Sequence, residues 1–217
     1  MSYHQVAERL AGAASRAGRD VAGITLVAVS KTKSTAEIME VYDQGHRDFG
    51  ENRAQELVEK VPELPDDIRW HFVGSLQSNK ARVVRPVAYL LHSMDRISLA
   101  GAWMKGIGMP PPVLVQVNVG DEPQKSGVTV AETPEVVGKL VEMGLEVEGL
   151  MAIPPVPESP DDSRRHFAAL RDLRDRLVAE YPSVRELSMG MTDDFEVAVE
   201  EGASIIRVGR AIFGPRN

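Results

Sequence analysis

The sequence predicts an α/β protein, a single-domain (β/α)8 (TIM) barrel with an extra amino-terminal helix. Eight apolar, β-rich runs of strand length recur along 217 residues, each but the last followed by a segment of helical spacing. Such βα alternation builds a parallel sheet, and eight units close it into a barrel. A barrel of this kind usually takes about 250 residues, so the connections here must be short. No composition shift or linker divides the chain, which is read as one domain over residues 1–217. A doubly wound open sheet is the competing architecture.

Ala7, Leu10, Ala11 and Ala14 recur at helical spacing and predict the opening helix, ended by Gly18 and the break near Gly23. Residues 24–30 (ITLVAVS) form the first strand. The following helix takes Ser34 or Thr35 as N-cap, buries Ile38, Met39 and Val41 or Tyr42, and stops near Gly45. Strand 47–50, helix 52–61, strand 69–73, helix 77–85, strand 88–92 and helix 97–105 come next. Residues 112–119 (PVLVQVNV) are the most pronounced strand. Helix 133–143, strand 146–151, a long helix 160–180, strand 184–188, helix 192–201 and a last strand at 204–207 complete the series. Pro110, Pro111 and Pro112, then Pro154, Pro155, Pro157 and Pro160, punctuate βα connections.

Hydrophobic residues make up 43% of the chain and charged residues 26%, which argues against disorder. Lys and Arg number 25 against 32 Asp and Glu, a net charge of -7, with no dense basic run, so no nucleic-acid partner is expected. Cysteine is absent, which excludes a disulfide framework, a thiolate metal site and a Cys nucleophile. The first ten residues lack the basic flank and apolar run of a signal peptide, and no stretch reaches membrane-spanning length. A cytoplasmic protein with no membrane partner is expected.

Barrel chemistry gathers at the carboxyl ends of the strands. The first strand ends Ser30-Lys31-Thr32-Lys33, and counting by two from Val27 and Val29 puts Lys31 on their face. An amine continuing an apolar face either reaches solvent or has chemistry to do, because burial lowers its pKa and frees it to attack a carbonyl. Lys33, beyond the strand, is expected in solvent. At the second strand end Asn52 either caps the next helix or faces the site. In the third unit Ser75 or Ser78 serves as cap, and Lys80 falls in the first helical turn, where a cation opposes the dipole; it has an anionic neighbour or is a surface lysine. The polar loop 120–127 suits a site mouth.

Ser188-Met189-Gly190-Met191-Thr192 joins strand seven to its helix, and Arg207-Val208-Gly209-Arg210 follows strand eight. Small residues and backbone N–H groups in these two loops are the material of barrel phosphate sites. Each glycine also reads as a tight turn and Ser188 or Thr192 as a helix cap. Asp193 and Asp194 suit a helix start but would compete with a bound anion. The histidines show no metal-ligand spacing, and there is neither a nucleophile elbow nor a GxxxxGK[ST] loop. No metal is expected, and a lysine with a phosphate cradle is the chemistry that remains.

The segments LVAVSKTK (26–33), FGENRAQE (49–56), WHFVGSLQSNK (70–80), KSG (125–127), GLMAIPP (149–155), LSMGMTDDFEVAVEEGA (187–203) and IRVGRAIFG (206–214) resemble the pyridoxal phosphate homeostasis proteins. That family is related to the amino-terminal barrel of alanine racemase. The resemblance implies a barrel holding pyridoxal 5'-phosphate (PLP) as an imine with Lys31. It places Asn52 beside the cofactor, Arg207 toward the pyridine nitrogen, and Ser188, Gly190, Met191, Thr192, Gly209 and Arg210 around the phosphate. The position of Thr192 is often Ser in that family and that of Arg210 often Ser or Thr, so contact at 210 is through backbone or guanidinium. The implied function is carriage and supply of PLP in cellular homeostasis with little or no turnover, with PLP-dependent apoenzymes as recipients. A monomer is expected.

An Arg207 that stays protonated gives the ring nitrogen no proton and weakens the ring as an electron sink. Two other functions remain as alternatives. A racemase needs a base on each face of its substrate; Lys31 offers one, the chain ends at Asn217 before any second domain, and Tyr42 or Tyr89 would have to be the other. A barrel acting on a phosphorylated sugar would use Lys31 with Glu51 as its acid–base carboxylate.

Overall fold

The computed structural model describes residues 2–122, 124–156 and 158–214. The punctuation expected at Pro157 and the ends of the assigned domain therefore lie outside the described residues. The strands are β1 (Thr25–Val29), β2 (Asp48–Glu51), β3 (Arg69–Phe72), β4 (Leu90–Met94), β5 (Val113–Asn118), β6 (Val128–Thr129), β7 (Val147–Ala152), β8 (Glu186–Ser188) and β9 (Ile205–Val208). The helices are α1 (Tyr3–Arg16), α2 (Thr35–Tyr42), α3 (Ala54–Lys60), α4 (Ala81–Val84), α5 (Ile97–Trp103), α6 (Thr133–Glu142), α7 (Arg164–Leu177), α8 (Phe195–Glu200) and α9 (Arg210–Phe213).

Neighbouring strands run β4-β3-β2-β1-β9-β8-β7-β5, and β4 also pairs with β5, so the two edges meet. The expected eight-stranded barrel is present, all its pairings parallel, and the open sheet is excluded. Closure removes the exposed strand edges that an open sheet would leave. Two layers of apolar side chains fill it. Val27, Val29, Val73, Leu90, Leu114, Met151 and Ile205 pack inside the barrel, while Leu26, Ala28, Phe49, Phe72, Trp103 and Phe167 belong to the layer between strands and helices. The alternation along β1 is what separates the two sets. Gly50 belongs to the inner face of β2, where a Cβ would stand 2.8 Å from Val27 Cγ1.

The amino-terminal helix is a full 14 residues, opened by a reciprocal Ser2–Gln5 cap. It buries Val6, Leu10, Ala13 and Ala14, packing on α8 and α9, and Arg9 pairs with Glu196 at 3.2 Å.

Several expected boundaries move. The last strand does carry a helix, α9, too short for its periodicity to show. β6, a two-residue addition alongside β5, was not expected. Helix 77–85 is a 3-10 turn at Ser78–Lys80 leading into α4, and the long helix begins as a 3-10 turn at Pro160–Ser163 and ends at Leu177. Helix 192–201 starts only at Phe195, because the Asp194 side chain accepts the Met191 N–H at 2.8 Å and keeps the preceding residues in a turn.

Candidate functional site

A cavity of about 580 Å³ opens at the carboxyl ends of β1, β2, β3 and β9. Strand phase explains much of its wall. Inward-facing Val29, Gly50, His71 and Arg207 are each followed two residues later by a residue of the cavity: Lys31, Asn52, Val73 and Gly209. Arg207 itself, two residues beyond inward-facing Ile205, also reaches it, and Met191, Thr192, Asp193 and Arg210 complete the polar side. In a chain of net charge -7, this cavity gathers Lys31, Lys33, Arg207 and Arg210 against one carboxylate, Asp193, which is itself paired with Arg210.

The turn that presents Lys31 is held from behind. Lys60 Nζ donates to the Ser30 carbonyl at 2.9 Å, and Glu56 Oε2 accepts the Thr32 N–H at 2.7 Å. These are the two peptide groups flanking Lys31. The two gripping side chains, one turn apart on α3, lie 3.4 Å from each other. Thr32 adopts φ +64°, an unusual left-handed conformation for a β-branched residue, and the grip offsets its strain. Lys60 also bonds Glu51 Oε1 at 2.6 Å, and Ser30 Oγ donates to the same oxygen at 2.7 Å. Burial pushes the Glu51 carboxyl upward despite these partners. At Glu56 burial acts in the same sense, but the bonds from Thr32 and Lys60 outweigh it and hold the carboxyl below its ordinary value.

Arg207 is 4% exposed. Its Nη1 donates to Ser188 Oγ at 2.6 Å and its Nη2 to the Ala152 carbonyl at 2.9 Å. Burial lowers it to about 10, against a small opposing pull from Asp194, so it remains a cation at neutral pH. Gly209 is confined from the other side: a Cβ there would stand 2.9 Å from Val29 O. Gly190 has φ +92°, and a Cβ would meet Ala198 Cβ at 2.5 Å. Both glycines are required by backbone packing.

Of the expected contacts, Lys31, Asn52, Met191, Thr192, Arg207, Gly209 and Arg210 line the cavity, whereas Ser188 and Gly190 do not. Ser188 lies beneath Arg207, and Gly190 shapes the turn. The Met191 N–H is taken by Asp194, which also accepts from Ser163 Oγ at 2.8 Å; Asp194 thus braces the loop and does not sit at its mouth.

Other expectations are corrected. Lys33 is not solvated but 8% exposed, part of the cavity wall and paired with Glu37 at 3.2 Å, because α2 folds its first turn back over it. Glu51, nominated as an acid–base carboxylate, faces α3, its charge already committed to Lys60. Tyr42 bonds Asp67, and the Tyr89 ring packs tilted against His71; neither lines the cavity. Lys80 is an exposed residue. Among the described residues no cluster of three or more His, Asp and Glu could hold a metal, and no helix is long and apolar enough to cross a membrane. The residues that sequence reasoning missed are Glu56 and Lys60 behind the lysine, and Asp48, His71 and His92 in the barrel interior.

The chain belongs to the class of the alanine racemase amino-terminal domain, whose family model matches residues 3–217. Within that class, the chain belongs to the pyridoxal phosphate homeostasis protein family. A protein of that name from Aquifex aeolicus (strain VF5) is 43% identical, over 98% of this chain and 96% of its own length. Another, from Escherichia coli (strain K12), is 41% identical over 98% and 94%. Among solved structures, PipY of Synechococcus elongatus with PLP bound superposes with a TM-score of 0.83 at 36% identity, covering 96% of this chain and all of that one (100%). The alanine racemase of Corynebacterium glutamicum shares the fold alone, with a TM-score of 0.71 at 16% identity over 95% of this chain and 60% of that one.

Proposed function

We propose that this chain binds pyridoxal 5'-phosphate, tethers it to Lys31 and serves PLP homeostasis in the cytoplasm, with little or no turnover and with PLP-dependent apoenzymes as recipients. The observation that carries this reading is the convergence of Lys31, Arg207 and the Gly209 turn on one cavity. The residues fit the group. Asn52 is a residue of the cavity wall, and its Oδ1 is buried with no hydrogen-bond partner among the described residues, an unused acceptor at the site. The close packing of Gly209 on Val29 holds its turn at the cavity wall, where its backbone and the Thr192 hydroxyl line the same cavity and could receive a phosphate.

When bound, PLP supplies an aldehyde carbon that condenses with a primary amine. This chain's part is to hold and orient. The grip of Lys60 and Glu56 fixes the backbone from which the Lys31 amine projects. The Arg207 guanidinium, protonated and able only to donate, offers a ring nitrogen no proton. The described cavity wall carries no Tyr, His or Glu, and its Lys33 and Asp193 are engaged in ion pairs with Glu37 and Arg210, which favours carriage over racemisation by a second base opposite Lys31.

The visible spectrum of protein purified without added cofactor tests the reading. A band that persists through gel filtration and is absent in Lys31→Ala is expected, and borohydride reduction followed by peptide mapping should mark Lys31, not Lys33. A colourless protein after PLP-replete expression would overturn it in favour of a phosphorylated-sugar ligand.

A further inference from the structure

His71 and His92 are 2% and 0% exposed and lie beneath the cavity, not in its wall. They are links in a chain of hydrogen bonds through the barrel interior. His71 Nε2 lies 3.1 Å from Asp48 Oδ1, and His71 Nδ1 lies 2.9 Å from His92 Nε2. His92 Nδ1 lies 2.8 Å from Ser188 Oγ, the atom to which Arg207 Nη1 donates at 2.6 Å. Five strands contribute one residue each: β2, β3, β4, β8 and β9. The chain starts at the first residue of β2, where Asp48 also accepts from the half-exposed Arg69 at 2.7 Å, and it ends at the guanidinium of the cavity.

Chemistry leaves this chain one direction. Burial works against the Asp48 charge, but the bonds from Arg69 and His71 outweigh it and hold the carboxyl well below its ordinary value, so it only accepts. His71 therefore carries its proton on Nε2. Burial pushes both imidazoles below the usual His value, so each is neutral with one proton. His71 Nδ1 is then an acceptor, His92 must donate from Nε2, and His92 Nδ1 must accept the Ser188 hydroxyl proton. That leaves Ser188 Oγ with lone pairs for Arg207, which can only donate. The assignment made from the carboxylate end agrees with the requirement at the guanidinium end, and no donor faces a donor.

We propose that Asp48, His71, His92 and Ser188 form a one-directional hydrogen-bond relay that positions Arg207 for the cofactor from the opposite end of the barrel. They are positioning residues, and the proposal rests on the reading of Arg207 as a cofactor-facing group. Held by the neutral Ser188 hydroxyl and the Ala152 carbonyl, the guanidinium is oriented with no carboxylate bonded to it among the described residues. Its positive charge is therefore left to the cavity. An ordinary buried histidine pair would need partners, but it would not need this polarity and would not act on a cofactor.

The first test uses 15N-labelled protein freed of PLP. Two-bond 15N–1H spectra at neutral pH should show both His71 and His92 protonated on Nε2; a proton on Nδ1 of His92, or a cationic ring at either position, would overturn the relay. The second test compares Ser188→Ala, Ser188→Thr and Asp48→Asn with the parent. Ser188→Ala should displace the absorption maximum of bound PLP and weaken PLP binding about tenfold, the scale of one lost buried hydrogen bond, while the affinity for inorganic phosphate stays unchanged. Ser188→Thr, which keeps the hydroxyl, should restore both, and Asp48→Asn should displace the spectrum in the same direction as Ser188→Ala. Parent-like spectra and affinities in both Ser188→Ala and Asp48→Asn would refute the proposal. A parent protein with no visible band would sink the cofactor reading alone, and the histidine spectra would still decide the relay.

Discussion

Lys60→Met would leave the Glu51 carboxylate, fully buried, with Ser30 Oγ as its remaining hydrogen-bond partner among the described residues at 2.7 Å and would take the 2.9 Å donor from the Ser30 carbonyl. Methionine matches the lysine stem in length, so packing is largely kept and the loss is electrostatic. Removing one member of a buried pair costs about 3–5 kcal/mol, because the other charge stays behind without compensation. At about 2–4 °C per kcal/mol for a chain of this size, the melting temperature should fall by about 6–20 °C. The pH dependence follows from the sign of the Glu51 shift. Burial already raises its pKa in the folded protein, and losing Lys60 raises it further above the unfolded value of about 4.3. A carboxyl raised in the folded state costs stability at pH above the folded pKa. That cost fades as pH falls through the folded pKa and is gone below the unfolded pKa, where both states are protonated. Urea unfolding of parent and variant at pH 7 and pH 5 should therefore show a gap that narrows at the lower pH. Lys60→Met combined with Glu51→Leu should recover most of the loss, since an apolar pair leaves no stranded charge. A gap below about 1 kcal/mol at pH 7, the range of exposed pairs, or one that widens as pH falls, would refute the buried-pair account of the Lys31 turn.

Gly209→Ala should fold but lose PLP on dialysis, since its methyl would lie 2.9 Å from Val29 O and push the turn out of place; retention equal to the parent's would remove Gly209 from the phosphate site. Pyridoxal should bind at least about 100-fold more weakly than PLP by equilibrium dialysis, because two charge-assisted hydrogen bonds at about 1.5 kcal/mol each would be lost with the phosphate. Equal affinities would place the phosphate elsewhere.

The sequence showed the barrel because eight apolar runs alternate with helical spacing, and it showed Lys31 because strand phase is strictly period two. The same count, continued from Gly50 to Asn52 and from Arg207 to Gly209, reaches other residues of the cavity. Lys33 was misplaced because its burial depends on Glu37 returning one helical turn later to meet it, a tertiary contact that polarity alone hides. His71 and His92 left a signal that went unused: each is a polar residue in a run of apolar ones, WHF and LLHS, on adjacent strands. What could not be read was their mutual orientation, which requires β3 and β4 to pair in the register that sets His71 beside Leu90. Ser188 was open to a cap or a phosphate reading because neither depends on knowing that Arg207 lies above it.

A barrel interior selected for stability alone would be filled with branched apolar side chains. Five inward positions here are instead Asp48, His71, His92, Ser188 and Arg207, joined by hydrogen bonds of 2.6 to 3.1 Å. A buried polar group without a partner costs about 1–3 kcal/mol, so a partly satisfied network is worse than an apolar core. That inequality orders the choices. Once a guanidinium is required at the floor of the cavity, an acceptor must lie beneath it. If that acceptor is a hydroxyl, its proton needs an acceptor in turn, and each imidazole passes the requirement onward until a carboxylate ends it. The carboxylate then needs a cation, which Arg69 provides at the rim of the barrel, where it can be half exposed at little cost. Four polar residues of the core thus follow from the placement of one, and the reason for that one lies in the cavity above it.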